Sequence, residues 1–205
     1  MISLFIDTSI SFPTISLIRD NEVLYEFHEE IKSDMSSKIL TIIDEGLKTS
    51  NLTLNSINNI FVVTGPGSFT GVRIGVTIAK TIAWSLNKKI IPISSLEFIA
   101  TTKTNKQYVI PMIDARRGNV FAGIYTNTLE CIMNDTLISI QELLNDKENN
   151  YELVSYDNIQ NAIKPLPNVI LIINKHINDE RINPHKLKPN YLKLTEAEEK
   201  RLLND

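Results

Sequence analysis

Twice in this chain an aliphatic strand runs into an aspartate and turns back through a second strand to a polar turn. The first copy is "LFIDTS" with Asp7, and the second is "PMIDAR" with Asp114. Asp7 lies fourteen residues before the turn residue Asn21, and Asp114 lies fourteen before Thr128. Hairpin lengths fall in a narrow range, so equal spacing can arise by chance. Equal spacing together with the shared strand-Asp opening is better explained by an internal duplication, and a duplicated α/β unit leaves few architectures open.

The elements around each copy support that. "ISLFID", "TISLIRD" and "VLYEFHE" alternate or run apolar as strands, with a turn at Asp20-Asn21. In "SDMSSKILTIIDEGLKTS", Met35, Ile39, Ile42, Ile43 and Leu47 recur at helical spacing. The strand "NIFVVT", the helix "VRIGVTIAKTIAWSLN", the strand "IIPIS" and a short helix in "SLEFIATT" complete a βββαβαβα order. The polar stretch Thr102 to Gln107 then separates a unit over 1–104 from one over 105–205. The second unit repeats strands as "VIPMIDA", "NVFAGIY" and "LECIM", followed by a helix in "ISIQELLND". Strands are expected at "YELVSY" and "NVILII", with a proline-punctuated tail in "NPHKLKPNYLKL".

Charge and cysteine content exclude several classes. A net charge of −3 over 205 residues makes neither unit a polycation that grips nucleic acid unaided. Cys131 is the single cysteine, so no internal disulfide or CxxC site is available, which fits a reduced, cytoplasmic chain. The start "MISLFIDTS" has no basic leader region, and the longest purely aliphatic run, Val169 to Ile173, is too short to span a bilayer.

Four of the seven glycines fall between Thr64 and Gly75, in "TGPGSFTGVRIG". A phosphate loop of the G-x-x-x-x-G-K-[ST] type fails, because Val72 and Arg73 follow Gly71. The G-x-G-x-x-G fingerprint fails at Thr70, and a nucleophile elbow around Ser68 fails at Pro66. None of His28, His176 and His185 is tied to Ser68 by a motif. The loop residues Gly65, Pro66, Gly67, Ser68, Phe69, Thr70, Gly71 and Arg73 therefore point to a stiff turn, with positive φ at Gly65 and Gly67 and a helix cap from Ser68 or Thr70. An anion site at that helix start is the remaining alternative.

Two such halves suggest the duplicated fold of the actin, sugar-kinase and chaperone-ATPase (ASKHA) superfamily, with the second half shortened. "GPGSFTGVRIG", "ISSLEFIA", "IDARRGNVF", "FIDTS" and "PNYLK" further resemble the TsaB family of YeaZ type, although Met35 stands where members often carry a histidine. That resemblance implies a non-catalytic scaffold that binds and organises the transferase TsaD in making threonylcarbamoyladenosine beside the tRNA anticodon. It implies a TsaD-like partner in a heterodimer, a TsaE-like ATPase in a larger assembly, tRNA as an indirect partner, a homodimer when alone, and no cofactor, metal or membrane.

The superfamily holds phosphates on D-x-G hairpins, where glycine lets the backbone approach. Here the triplets are Asp7-Thr8-Ser9 and Asp114-Ala115-Arg116, and both glycines are missing. Either carboxylate can hold a metal through water, but a strand-end aspartate accepting its own turn amides is the simpler role. The H-x-x-x-H pair expected of the transferase is absent.

The helix after the glycines is apolar over an arc of roughly 200°, wider than one buried face requires. Small residues Gly75, Ala79 and Ala83, with Ile82, are expected to meet a partner helix alongside Met35, Ile39, Ile42 and Ile43. Alternatively the two helices satisfy each other inside the chain. Arg73, Arg116, Arg117, Lys186, Lys188 and Lys193 are candidates for holding tRNA or an acidic partner surface. The rival functions are a small phosphotransferase, a peptidase using Ser68, and a module that only homodimerises.

Overall fold

In the computed structural model, which describes residues 1–145 and 150–192, the first sheet is built on β1 (Ile2–Asp7). All six residues of β1 are buried, as expected of a central strand covered on both faces. β2 (Thr14–Arg19) and β3 (Glu22–His28) continue from it as an antiparallel meander. After α1 (Met35–Thr49), β4 (Asn59–Val63) pairs parallel with β1. After α2 (Phe69–Ser85), β5 (Ile90–Ile93) pairs parallel with β4, giving the order β3-β2-β1-β4-β5. α3 (Ser95–Ala100) closes the half.

The second sheet repeats this plan. β6 (Tyr108–Arg116), β7 (Asn119–Thr126) and β8 (Cys131–Ser139) form the meander, and α4 (Ile140–Leu144) leads to β9 (Tyr151–Val154), parallel to β6. Its order, β8-β7-β6-β9, matches the first four positions of the first sheet. The fold is the expected duplicated α/β plan with a shortened second half, four strands in the second sheet against five in the first among the described residues.

One expected strand is a helix: "NVILII" belongs to α5 (Val169–His176). A short aliphatic run carries no period to separate strand from buried helix. The Asn168 side chain decides it by accepting the Leu171 amide at 3.0 Å, and Val169, Ile172 and Ile173 then share the buried face.

Successive strand residues feed opposite faces. Leu4, Ile6, Ile60 and Val62 pack under α1 and α2, whereas Phe5, Phe61, Val63 and Ile91 face the other way. That second face is covered by Val169, Ile172 and Ile173 of α5, a helix from the other half. In exchange, Leu96, Ile99 and Ala100 of α3 pack on Val109, Ile113 and Phe121 of the second sheet. Each half is completed by the other's last helix. The chain then returns, with Ile182 bridging Ile90 and Leu187 buried in the first core.

A polar cluster pins the exchange. Glu97 on α3 accepts from Lys175 Nζ at 2.5 Å and meets His176 Nε2 at 2.9 Å, while His176 Nδ1 lies 2.6 Å from Asp179. Burial alone would lower the His176 pKa, but its bonds to Glu97 and Asp179 outweigh this and hold it above the ordinary value. Burial alone would raise Glu97, and the bonds from His176 and Lys175 outweigh that too, leaving it depressed. The His176 contribution is therefore complete below the ordinary histidine value of about 6.5 and is lost as pH rises through the raised one. The Glu97 contribution is complete above the ordinary glutamate value of about 4.3 and is lost as pH falls through the depressed one. Thermal melts are expected to fall on raising the pH from about 6.5, and His176→Gln is expected to flatten that slope. Equal slopes in both proteins would exclude the cluster as its source.

Candidate functional site

The glycine-rich loop connects β4 to α2 and is fixed on both sides. Ser95 donates its amide to Gly65 O at 3.1 Å and its hydroxyl to Pro66 O, and Asn190 donates to Thr64 O at 2.7 Å. Gly65 and Gly67 take φ values of 108° and 154°, a region that side chains disfavour. Ser68 caps α2, its Oγ accepting the Gly71 amide at 3.2 Å. His28 instead contacts Thr14 and Tyr156, and His176 contacts Glu97 and Asp179. Among the described residues no histidine is hydrogen-bonded to Ser68, whose Oγ is engaged in the cap.

The glycines serve close approach of another turn. A Cβ at Gly67 would lie 2.4 Å from Ser9 O, one at Gly71 2.1 Å from Thr8 O, and one at Gly75 2.4 Å from Thr8 Oγ1. These three positions, four residues apart, make a groove along the start of α2 that receives the turn after β1. Thr8 Oγ1 donates to Gly71 O at 2.7 Å, and Ser68 N donates to Ser9 O at 2.7 Å. Gly71→Ala is expected to destabilise the chain by about 2 kcal/mol. The overpacking against a backbone oxygen outweighs the roughly 1 kcal/mol of helix propensity gained. Chemical denaturation measures it, and an unchanged midpoint would disprove the groove's tightness.

The two strand-end aspartates behave alike. Asp7 Oδ1 accepts the amide of Ser9 and Asp114 Oδ1 that of Arg116, each at 2.8 Å, so both carboxylates close their own turns. Burial pushes the Asp7 carboxyl up to about 6, with the Ser9 amide pulling the other way. Asp114 is exposed, and its own amide donates to Asp157 Oδ2 at 2.7 Å.

Between the halves lies a cleft of about 780 Å³, lined on one wall by Ser9, Ser68 and Thr70 and on the other by Ile113, Arg116 and Phe121. Tyr156 and Asp157 close its floor, and both escaped motif reading. They follow β9, the counterpart of β4, so the duplication itself marks this loop as the partner of the glycine loop. Tyr156 stacks on Phe12 at 5.0 Å and its hydroxyl meets His28 Nε2 at 2.9 Å, joining the second half to β3. Phe69, Arg73 and Tyr191 form a further group at the cleft mouth, with the Arg73 guanidinium 3.8 Å from the Phe69 centroid.

The residues assigned to a partner face are largely internal. Ile39, Ala79 and Ala83 are fully buried, Ile42, Ile43 and Ile82 nearly so, and Gly75 is covered by Thr8, while Met35 is half-buried. The expected second, outward face at Gly75, Ala79 and Ala83 is corrected: these small residues let α2 lie close on its own sheet and beside α1. The wide apolar arc arises because α2 is flanked by α1, the sheet and the returning tail.

Residues 29–176 match the family model described as "TsaD: tRNA N6-adenosine threonylcarbamoyltransferase". The chain is 32% identical to the tRNA threonylcarbamoyladenosine biosynthesis protein TsaB of Bacillus subtilis, over 98% of this chain and 97% of that protein. It belongs to the TsaB family. A TsaB of Buchnera aphidicola from Acyrthosiphon pisum is 29% identical over 84% of this chain and 86% of its own. Two solved structures from Pseudomonas aeruginosa share the fold. One is named YeaZ, with a TM-score of 0.79, 18% identity and coverage of 93% and 99%. The other is described as an uncharacterized protein with similarity to peptidase YeaZ, with a TM-score of 0.80, 18% identity and coverage of 94% and 99%. This TsaB-family chain and the transferase named by the model thus share one pattern over most of the chain's length.

Proposed function

We propose that this TsaB-family chain is a non-catalytic scaffold that binds and organises a TsaD-like transferase in the threonylcarbamoyladenosine modification of tRNA. The observation that carries the non-catalytic part is the filled first hairpin. Where relatives of this fold present a glycine to phosphate, Thr8 and Ser9 are packed into the glycine groove of α2, and both aspartates are committed to their own turns. The isolated chain is expected to show no ATP turnover in a coupled assay. Turnover that disappears in Asp7→Ala would overturn the scaffold assignment.

The partner surface lies on the outer seam of α1 and α2. Lys38, Thr41, Ile42 and Glu45 line the hollow beside β3, which leaves the opposite edge of α1, with Leu40, turned toward α2. On α2, Arg73 and Lys80 bond the tail, so half-exposed Ile74 and Ile78 lie on the α1 side. Leu40 is 55% exposed, an apolar surface without cover in the lone chain. The same seam accounts for a homodimer when the chain is alone. A TsaE-like ATPase belongs to the larger assembly, in the cytoplasm. Among the described residues no helix is long and apolar enough to cross a membrane.

A further inference from the structure

The carboxylates of this acidic chain are segregated. No Asp or Glu occurs between Glu45 and Glu97, a stretch that includes all of α2, and none occurs from Arg181 to Leu192. The fold lays these two segments side by side. Lys80 Nζ donates to Leu187 O at 3.2 Å, Arg73 Nε donates to Tyr191 Oη at 2.8 Å, and Ile90 and Ile182 exchange backbone bonds at 2.9 and 2.7 Å.

The result is a stripe carrying Arg73, Lys80, Lys88, Lys89, Lys186 and Lys188, ending at Arg181 beside Glu180. Among the described residues none of these cations is ion-paired with a carboxylate. Exposed aromatic rings stand at both ends of α2. Phe69 and Tyr191, 39% and 43% exposed, stack at 5.0 Å at its start, and Trp84 is 67% exposed in its last turn.

Cations in a row with exposed aromatic rings at either end are what a nucleic acid strand uses: charge for phosphates and flat surfaces for bases, with Trp84 the most open of the rings. An acidic protein surface would use the charge and could use a ring as an anchor, whereas the continuous run of cations without a carboxylate along two segments suits a phosphate backbone. The geometry points to the edge of α2 and its returning tail as a direct RNA-binding stripe, adjacent to the α1–α2 seam. This rests on the proposed role in tRNA modification and adds a contact by this chain itself.

The test is fluorescence anisotropy with a labelled, unmodified tRNA transcript carrying adenosine next to the anticodon, between about 50 and 200 mM salt. Lys186→Glu/Lys188→Glu is expected to weaken binding about tenfold or more and to reduce the slope of log K against log salt by about 1.5. Lys88→Glu/Lys89→Glu, at the other end, is expected to do the same and stands in if the first variant does not fold. Trp84→Ala is expected to weaken binding about fivefold with the slope unchanged, and Lys32→Glu/Lys38→Glu to have no effect. Wild-type affinity in both reversal variants overturns the stripe. So does loss of a TsaD-like partner, seen by light scattering, with tRNA binding intact, since the stripe would then hold protein. If the wild-type chain binds tRNA but no transferase, the scaffold role falls and the stripe stands.

Discussion

Ala79→Arg is expected to destabilise the isolated chain by about 4 kcal/mol or more and to lower its melting temperature by roughly 10 °C. Ala79 is fully buried among Ile6, Val62 and Ile43, with its neighbours Gly75 and Ala83 also covered. A guanidinium there has neither a carboxylate partner nor room to reach water. Calorimetry or circular dichroism measures the loss in the lone protein. A folded monomer that merely fails to meet its partner would restore an outward role for this face.

Leu40→Arg is expected to do the opposite. At 55% exposure the side chain contributes little to the monomer, whose melting should move by less than about 0.5 kcal/mol equivalent. A charge at the centre of an apolar seam costs about 2 to 4 kcal/mol of association, a loss of roughly thirtyfold or more. Titration of a TsaD-like partner, followed by light scattering, should show the complex disappearing while the fold persists. An unchanged complex would remove the seam from the interface. Together the two variants separate packing inside the chain from packing between chains.

The duplication was legible because topology leaves a strong periodic trace: strand, aspartate, hairpin, at one spacing. The glycine stretch was legible as a turn and a cap, and Ser68 takes the cap. Its main purpose was not, because a groove shows only when the turn that fills it, sixty residues earlier, is in place. The inward direction of Ala79 and Ala83 was hidden for a related reason. An apolar arc reports how much of a helix is covered, and it cannot say whether sheet, neighbouring helix, tail or another chain covers it. "NVILII" shows the same limit, since a five-residue aliphatic run fits a strand or a helix until Asn168 finds the Leu171 amide.

The exchange of α3 and α5 also sets an order of events at synthesis. The face made by Phe5, Phe61, Val63, Ile91 and Ile93 is complete once Ile93 is made and finds its cover in Ile172 and Ile173, about eighty residues beyond Ile93. At about 5 to 20 residues per second, the completed face then stays bare for roughly 4 to 16 s on a nascent chain. The first sheet can therefore assemble early on its α1–α2 side, yet remains adhesive on the other until α5 has been made. A stalled or shortened message releases a product with one finished and one sticky surface, a natural client for chaperones.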